Sequence, residues 1–189
     1  MQGLSEQKRA LRAHFLALRA AIPASQRLEW DAALCRAVAE TEEFARATLL
    51  LCYAPVNSEP DLAPLYELAV KRGKRIAFPR CEGTALCFHV VSSPDALTPG
   101  RFSIPEPPKS APLAECDADT LCILPALSAA PDGTRLGYGG GFYDRFLPTF
   151  KGSRVLPIYD SQLSTALPRE DTDVPASLII TQKGVKYRV

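Results

Sequence analysis

Apolar residues recur along the chain at helical spacing in three places. The first stripe begins at Leu4 and continues until Pro23, which lacks the N–H that a continuing helix needs. A second helix is predicted to start at Ser25, and a third to run over residues 61–72 and to end at Gly73. Each stripe predicts a helix that buries one face.

Short, uninterrupted apolar runs follow these helices, at residues 48–53, 75–79, 86–91, 121–125, 154–159 and 177–181. Runs of this length are typical of strands that are buried on both faces. Because strands alternate with helices, we expect a mainly parallel sheet covered on both sides, and so an α/β fold. Residues 92–112, rich in proline and serine, are predicted to form a long connection within a single domain spanning 1–189.

The charge balance narrows the choice of partners. Lys and Arg number 22 and Asp and Glu 21, so the formal net charge is only +1. Nucleic acids and anionic membranes need an excess of basic residues, so neither is expected as a partner. One small anion, such as a nucleotide, needs only a few local cations and remains possible. Apolar residues make up 47% of the chain, which excludes the disordered class.

Localisation follows from what the sequence does not contain. No run of about 18 uncharged apolar residues occurs, and the N-terminal segment has no apolar core of a secretory signal. The six cysteines are therefore expected to be reduced, in the cytoplasm; Cys52 and Cys122 lie inside apolar runs, where a thiol packs as a small hydrophobe. There is no C-x-x-C pair, and His14 and His89 lie far from any cysteine cluster, so a zinc site is not expected. A Cys nucleophile paired with His89 stays open, although no spacing favours it.

Candidate chemistry concentrates in residues 131–144. Four glycines follow the buried strand at 121–125 and precede an apolar helical pattern: Gly137, Gly139, Gly140 and Gly141. Their amides, with the N-terminus of the next helix, suit a phosphate group. Arg135 adds a cation with forked geometry, and Asp144 could hold Mg²⁺ beside the phosphates.

Other interpretations of these residues are simpler. The segment is neither a P-loop nor a dinucleotide fingerprint, since Phe142 stands where each needs another residue. The alternative is a glycine-rich turn whose only role is to shape the backbone. The aromatic residues beside Arg135 and Asp144 argue against this alternative. Taken alone, Lys8 and Arg12 are typical of a solvated helix face and Asp173 of a solvated loop. Glu59 would by default cap a helix, or it could be a ligand carboxylate at the sheet's edge.

The segment RLGYGGGFYDRFL, residues 135–147, closely resembles the signature of the 5-formyltetrahydrofolate cyclo-ligase family, also called the 5,10-methenyltetrahydrofolate synthetase family. Three other segments resemble the family's motifs in the same order. KRALR is similar to its basic nucleotide-binding motif, YAPVNSEPDL to its strand-loop-acid segment, and RFSIPEP to its G-I-x-E-P-like element. Residues 168–173 resemble the family's late P-x-E-x-x-D pattern.

This resemblance implies a three-layer α/β/α sandwich, Rossmann-like, and a monomeric, cytoplasmic, ATP-dependent ligase with Mg²⁺ as cofactor. In the implied reaction, ATP phosphorylates the formyl oxygen of 5-formyltetrahydrofolate and N10 of the folate attacks the activated carbon. The products are 5,10-methenyltetrahydrofolate, ADP and phosphate. Because phosphorylation turns a poor leaving group into a good one, the enzyme's main tasks are placement and charge stabilisation.

The resemblance also implies roles for individual residues. Arg135 and Tyr143 are the implied catalytic residues, and Asp144 and Asp173 the implied metal ligands. The implied ATP-binding residues are Lys8, Arg12, Arg135, Leu136, Gly137, Tyr138, Gly139, Gly140, Gly141, Phe142 and Tyr143. The implied folate-binding residues are Ala54, Glu59, Tyr138, Gly139, Gly140, Gly141 and Phe142.

The chain departs from the family pattern at a few positions. Gly140 stands where many members carry Lys, Ala129 and Ala130 stand where Phe and Asp are usual, and Ser103 replaces a Gly. These departures leave two alternatives open. One is a paralogue that binds nucleotide or folate without cyclo-ligation, and the other is an ATP-dependent phosphotransferase or ligase acting on another small substrate.

Overall fold

The computed structural model describes residues 3–100 and 104–189, so Ser103 lies outside the described residues. The α-helices are α1 (Leu4–Ala20), α2 (Ala24–Ala39), α3 (Glu42–Arg46), α4 (Ala63–Lys71) and α5 (Phe142–Phe146). The longer strands are β1 (Leu49–Leu51), β2 (Arg75–Glu82), β3 (Ala85–Val91), β6 (Thr120–Ile123), β9 (Ser153–Pro157), β10 (Leu178–Thr181) and β11 (Gly184–Arg188). Two short hairpins are formed by β4 (Thr98–Pro99) with β5 (Pro105–Glu106) and by β7 (Ser128–Ala129) with β8 (Arg135–Leu136).

The seven longer strands form one sheet in the order β11-β10-β9-β6-β1-β2-β3. The five inner strands run parallel to one another, as predicted from their uninterrupted apolar runs. Strands β1 and β6 are neighbours, and the chain leaves them in opposite directions along the sheet. This is the switch point at which open α/β sheets form a crevice beyond the carboxyl ends of their strands.

The two edge strands, β3 and β11, run antiparallel to their neighbours. Each follows its partner strand after a two-residue turn, which leaves no room for the crossover that a parallel connection needs. Gly83 (φ 61°) lies in the first of these turns and Gly184 (φ 104°) directly follows the second, and both have a left-handed backbone. Strand β2 also continues beyond Pro79, where the predicted strand ended. Past Ala77 it pairs with β3 alone, so a residue without an N–H is tolerated.

Apolar side chains of the inner strands alternate between two cores, one on each face of the sheet. Leu50 packs with the buried faces of α2 and α4. Leu49 and Leu51 point to the other face, which is covered by α5 and the following turn. The predicted α/β fold is therefore confirmed, and the second helical layer is thin: α5 has five residues, and the 3₁₀ turn Leu147–Thr149 continues it.

The first helix does not cover either face of the sheet. Phe15 of α1 packs against Leu127 and Leu136 of the β7–β8 region, in a small third core. Arg19, two turns from Arg12 on the same helix, donates to the carbonyl of Ala126 just beyond the end of β6. Helix α1 therefore crosses the carboxyl edge of the sheet, above the switch point.

Most predicted elements lie close to their predicted bounds. Helix α4 falls within the predicted 61–72, and α1 ends before Pro23. The predicted long connection at 92–112 is in part ordered by hydrogen bonds, since it contains the β4–β5 hairpin and a 3₁₀ turn, Pro94–Ala96. No disulfide bond joins the six cysteines, all of which lie in the described residues. No helix in that part of the chain is long and apolar enough to cross a membrane.

Gly152 lies where the chain enters β9, and its position predicts a sharp packing effect. A Cβ added there would lie 2.1 Å from the Thr120 carbonyl oxygen. We expect Gly152→Ala to lower the free energy of unfolding by about 3 kcal/mol, at the upper end for overpacking, and Tm by roughly 6–12 °C. Gly3→Ala, with nothing within 4 Å of its added Cβ, is the control. Equal thermal denaturation of the two variants would contradict this packing.

Candidate active site

A cleft of about 930 Å³ opens at the switch point, beyond the carboxyl ends of β1 and β6. All the residues that the sequence singled out as site candidates line it: Lys8, Arg12, Ala54, Glu59, Arg135, Leu136, Gly137, Tyr138, Gly139, Gly140, Gly141, Phe142, Tyr143, Asp144 and Asp173. They come from α1, the loop after β1, β8, the glycine loop (residues 137–141), α5 and the loop before β10. The fold therefore brings distant sequence segments to one surface.

Two glycines give the glycine loop its shape. Gly139 has φ 97° and Gly141 has φ 65°, both in the left-handed region that side chains disfavour. A Cβ at Gly139 would also lie 3.2 Å from the guanidinium carbon of Arg12. These positions need glycine so that the backbone can turn and Arg12 can lie against it.

The helix after the loop contributes less than its sequence suggests. With five residues, α5 has too few aligned peptide dipoles to provide the N-terminal charge of a full helix. The positive charge around the loop therefore comes from side chains. Arg12 Nε donates to the Gly137 carbonyl at 2.9 Å, and the buried Lys8 lies one helical turn away.

Lys8 and Asp173 form a direct ion pair. Lys8 Nζ lies 2.7 Å from Asp173 Oδ2, and Glu170 Oε1 lies 3.6 Å from the same nitrogen. Desolvation raises the pKa of Asp173, but the hydrogen bonds from Lys8 and the Glu170 N–H outweigh it, so the pKa lies below its usual value. The sequence pattern alone favours solvated roles for Lys8 and Asp173, and this interpretation is wrong, since the two side chains form a pair. The pattern could not indicate the pair because 165 positions of chain separate the partners.

Arg135 and Asp144 form a second pair, 2.6 Å apart between Nη2 and Oδ1. The Arg135 side chain is only 5% exposed, and its other terminal nitrogen donates to the Val174 carbonyl. The guanidinium is therefore held in one orientation, with its charge at the edge of the glycine loop.

The two carboxylates at this end of the cleft are of the chemical type that a divalent metal binds. The described contacts of Asp144 use Oδ1 and those of Asp173 use Oδ2, which leaves the second oxygen of each for a ligand. Mg²⁺ takes one or two carboxylates together with phosphate oxygens, so two are enough. No cluster of three or more His, Cys, Asp or Glu suited to a metal occurs within residues 3–100 and 104–189.

Glu59 lies at the other end of the cleft. The sequence leaves helix capping open for it, but Asp61 accepts the Ala63 N–H at the start of α4, and Glu59 instead accepts the Val56 N–H at 2.8 Å. Asn57, with φ 49°, bends the chain between them. Burial raises the pKa of Glu59, whereas the Val56 N–H, the charge of Arg19 and the Tyr138 hydroxyl oppose that rise.

Aromatic residues connect the two ends of the cleft. The Tyr138 hydroxyl contacts both Arg19 and Glu59. The Tyr143 hydroxyl is buried in the cleft lining and has no hydrogen-bond partner among the described residues. Burial raises the pKa of Tyr143, so its hydroxyl keeps its proton and can act as a donor to a ligand.

The buried polar residues Arg19 and Glu106, at the cleft, were missed at the sequence level. Arg19 lies seven positions after Arg12, on the same helix face, so the spacing of Lys8 and Arg12 could have indicated it. Glu106, in the RFSIPEP segment, is buried in the cleft wall, accepts the Cys81 N–H at 3.2 Å and lies 3.4 Å from Arg80. No local pattern indicates that contact, because it depends on how the β4–β5 hairpin folds onto β2.

The departures from the family pattern have local structural partners here. A Cβ at Gly140 would lie 3.0 Å from the Phe142 ring, so that ring occupies the space beside the loop. Ala129 and Ala130 are buried in the β7–β8 hairpin. Its turn is stabilised by Asp132, which accepts both the N–H and the hydroxyl of Thr134.

The fold and the cleft define an α/β protein with a glycine loop flanked by cationic side chains and a pair of carboxylates, at the switch point of a mainly parallel sheet. The chain belongs to the 5-formyltetrahydrofolate cyclo-ligase family, whose model matches residues 4–182, and is therefore an enzyme of the ligase class. It is 30% identical to the 5-formyltetrahydrofolate cyclo-ligase of Escherichia coli over 74% of this chain and 87% of that protein. It is 31% identical to the Mycolicibacterium smegmatis enzyme of the same name, over 69% and 72%.

Solved structures agree with this assignment. The 5,10-methenyltetrahydrofolate synthetase of Aquifex aeolicus superposes with a TM-score of 0.82 at 30% identity, covering 96% of this chain and 92% of that one. The synthetase of Mycoplasma pneumoniae, at 20% identity, has a TM-score of 0.74 and covers 93% and 98%; it supports the fold.

The conformation of Gly139 predicts how the loop responds to a side chain. Gly139→Ala would strain a left-handed backbone and press on Arg12, so we expect ATP affinity to fall at least about tenfold with Tm nearly unchanged. Gly137→Ala is the matched comparison in the same loop: its added Cβ meets nothing within 4 Å, and we expect a smaller loss. Calorimetric titration of ATP measures both. Similar affinities in the two variants would show that the loop tolerates a different shape.

Proposed function

We propose that this protein converts 5-formyltetrahydrofolate to 5,10-methenyltetrahydrofolate with cleavage of ATP to ADP and phosphate, the formyl oxygen leaving in the phosphate. One observation carries the proposal. The glycine loop with its neighbouring cations and the end of the cleft that contains Glu59 belong to a single cleft, and Tyr138 and Tyr143 lie between them. A phosphate donor and a folate bound at these two ends would meet between them. Two relatives are named 5-formyltetrahydrofolate cyclo-ligase and 5,10-methenyltetrahydrofolate synthetase, names that match the substrate and the product proposed here.

The cationic end would hold the triphosphate. Arg12 lies against the loop, Lys8 is buried beside it, and Arg135 is fixed by Asp144. These cations, with the backbone N–H groups of the glycine loop, would stabilise negative charge that moves from the γ-phosphate to the leaving ADP. Because the side chains are already oriented by partners, little reorganisation is needed when ATP binds.

Glu59 would hold the pterin end of the folate. An ionised carboxylate accepts hydrogen bonds at both oxygens, and a pterin ring presents neighbouring N–H donors along one edge. Ala54, buried in the wall beside it, and the Phe142 ring would complete a flat slot for the ring system. The formyl group would then point toward the glycine loop and the γ-phosphate.

The chemistry would follow in two steps. The formyl oxygen attacks the γ-phosphorus, an O–P bond forms, and the bond to ADP breaks. N10 then attacks the formyl carbon, loses its proton, and expels phosphate as the C–O bond breaks. Arg135 would stabilise the transferred phosphoryl group. The Tyr143 hydroxyl, which is protonated and has no described partner, would donate a hydrogen bond to the reacting oxygen as the charge on that oxygen changes.

Asp144 and Asp173 would hold the Mg²⁺ that accompanies ATP. When bound, Mg²⁺ neutralises phosphate charge and favours transfer to the formyl oxygen. Within the chain, each carboxylate already orients a cation, Arg135 or Lys8.

We also infer that the enzyme acts in the cytoplasm as a monomer, with residues 1–189 as one working domain. Size-exclusion chromatography with light scattering tests the oligomeric state.

A single assay tests the proposed reaction. Protein, Mg²⁺ and 5-formyltetrahydrofolate are mixed with and without ATP at neutral pH, and the near-ultraviolet absorbance of the methenyl product is followed. We expect product only with ATP, together with one ADP per product. ADP release without a folate product would favour a phosphotransferase with another substrate. Tight folate binding without product would favour a paralogue that does not catalyse cyclo-ligation.

Asp144 provides the sharpest variant. Asp144→Ala removes a metal carboxylate and the partner that orients Arg135, so we expect kcat/KM to fall at least about a hundredfold. The Asp144 side chain is 29% exposed, so circular dichroism should show an intact fold. Asp171→Ala changes an exposed acid in the loop before β10 and is the control. Full activity of Asp144→Ala would exclude its metal role.

A further inference from the structure

Arg19 lies where three loops of the cleft meet. Its guanidinium donates to the carbonyl of Ala126, after β6, at 3.2 Å and to that of Asn57, after β1, at 2.9 Å. It also contacts the hydroxyl of Tyr138 in the glycine loop, and lies 5.8 Å from the centre of that ring. The three contacts belong to segments far apart in the chain, so one side chain sets their relative positions.

The burial of Arg19 needs an explanation. The residue is fully buried, and its described hydrogen bonds go to two carbonyls and a hydroxyl rather than to a carboxylate. Its Nε is buried without a described partner. Such a charge is costly to bury unless an opposite charge is close. The charge of Arg19 interacts with the Glu59 carboxyl, whose pKa it lowers.

Other groups around Glu59 do not replace this cation. Tyr53, from the end of β1, and Tyr143, from α5, face it electrostatically, and burial raises the pKa of both phenols, so they remain neutral. Tyr138 lies between Glu59 and Arg19, and its hydroxyl contacts each. A chain of polar contacts therefore runs from a buried cation, through an aromatic hydroxyl, to the carboxylate that lines the cleft.

We propose that Arg19 is a positioning residue for folate recognition: through Tyr138 it orients the Glu59 carboxylate and keeps it ionised for the N–H donors of the pterin. This inference rests on the proposed function, which places the pterin at Glu59. Arg19 lies beneath the cleft rather than in its lining, so it acts on the substrate through other groups. A protonated Glu59 would lose one of its two acceptor oxygens and bind the ring weakly.

The test compares folate affinity across pH in matched variants. Arg19→Met removes the charge, Arg19→Lys restores it, and Tyr138→Phe removes only the connecting hydroxyl. Arg9→Met is the control, because Arg9 is on the same helix and its side chain is 80% exposed. Calorimetric titration with 5-formyltetrahydrofolate, from mildly acidic to mildly basic pH, is the measurement, and melting temperatures show which variants are folded.

We expect Arg19→Met to weaken folate binding at least about tenfold at neutral pH. Removal of Arg19 raises the pKa of Glu59, so the carboxyl becomes protonated at a higher pH. As the pH falls, folate affinity should therefore be lost at a higher pH in this variant than in the wild type. Tyr138→Phe should move the pH dependence in the same direction by less, and Arg19→Lys should recover part of the loss. Arg9→Met should match the wild type in folate affinity and in its pH dependence.

The outcomes separate this inference from the proposed reaction. An unchanged pH dependence in Tyr138→Phe and in any folded Arg19→Met would overturn the role of Arg19, even where the wild type turns over folate. If the wild type binds folate with the expected pH shifts in its variants but forms no product with ATP, the reaction fails and the role stands. A wild type that binds no folate overturns both. Should Arg19→Met not fold, Tyr138→Phe alone decides, since it loses one hydroxyl from a partly exposed side chain.

Discussion

The position of α1 across the carboxyl edge of the sheet is the constraint on which the cleft depends, and the buried guanidinium of Arg19 holds it there. Its carbonyl partners lie in the loops that follow β6 and β1, the two strands at the switch point. Taking an arginine out of water costs several kcal/mol, roughly what its hydrogen bonds and a nearby carboxylate must offset. With Arg19 in place, helical periodicity brings Arg12 to the glycine loop and Lys8 to Asp173.

Charge in this cleft is organised in pairs before any ligand arrives. Lys8 is paired with Asp173 and Arg135 with Asp144, while Glu59 lies within the influence of Arg19. Pairing explains how a chain with a net charge of only +1 can present several cations to a polyanion. In the proposed function, phosphate would bind the cations and the metal would bind the carboxylates, so that few charges would be left unpaired.

Local patterns carried much of the fold. Strands of the inner sheet are buried on both faces, so their apolar runs are uninterrupted, and the sequence indicated each of them. Strand β11 was missed because it lies at an edge with exposed residues, and β3 was not recognised as antiparallel because turn geometry, not hydrophobicity, sets strand direction. The glycine loop was visible because its composition is itself the local requirement for a left-handed backbone.

By itself, the sequence determined the α/β class, the glycine loop and the family motif, since these depend on the composition and spacing of near neighbours. Only the tertiary structure decided what the charged side chains do. Lys8 meets Asp173 across 165 positions, and Arg19 meets Tyr138 across 119. A charge in a pattern is usually solvated, and whether it is buried and paired depends on which distant segments the sheet brings to the same edge. Polar residues that are scattered along the sequence line one cleft because they lie at that edge, which α1 crosses.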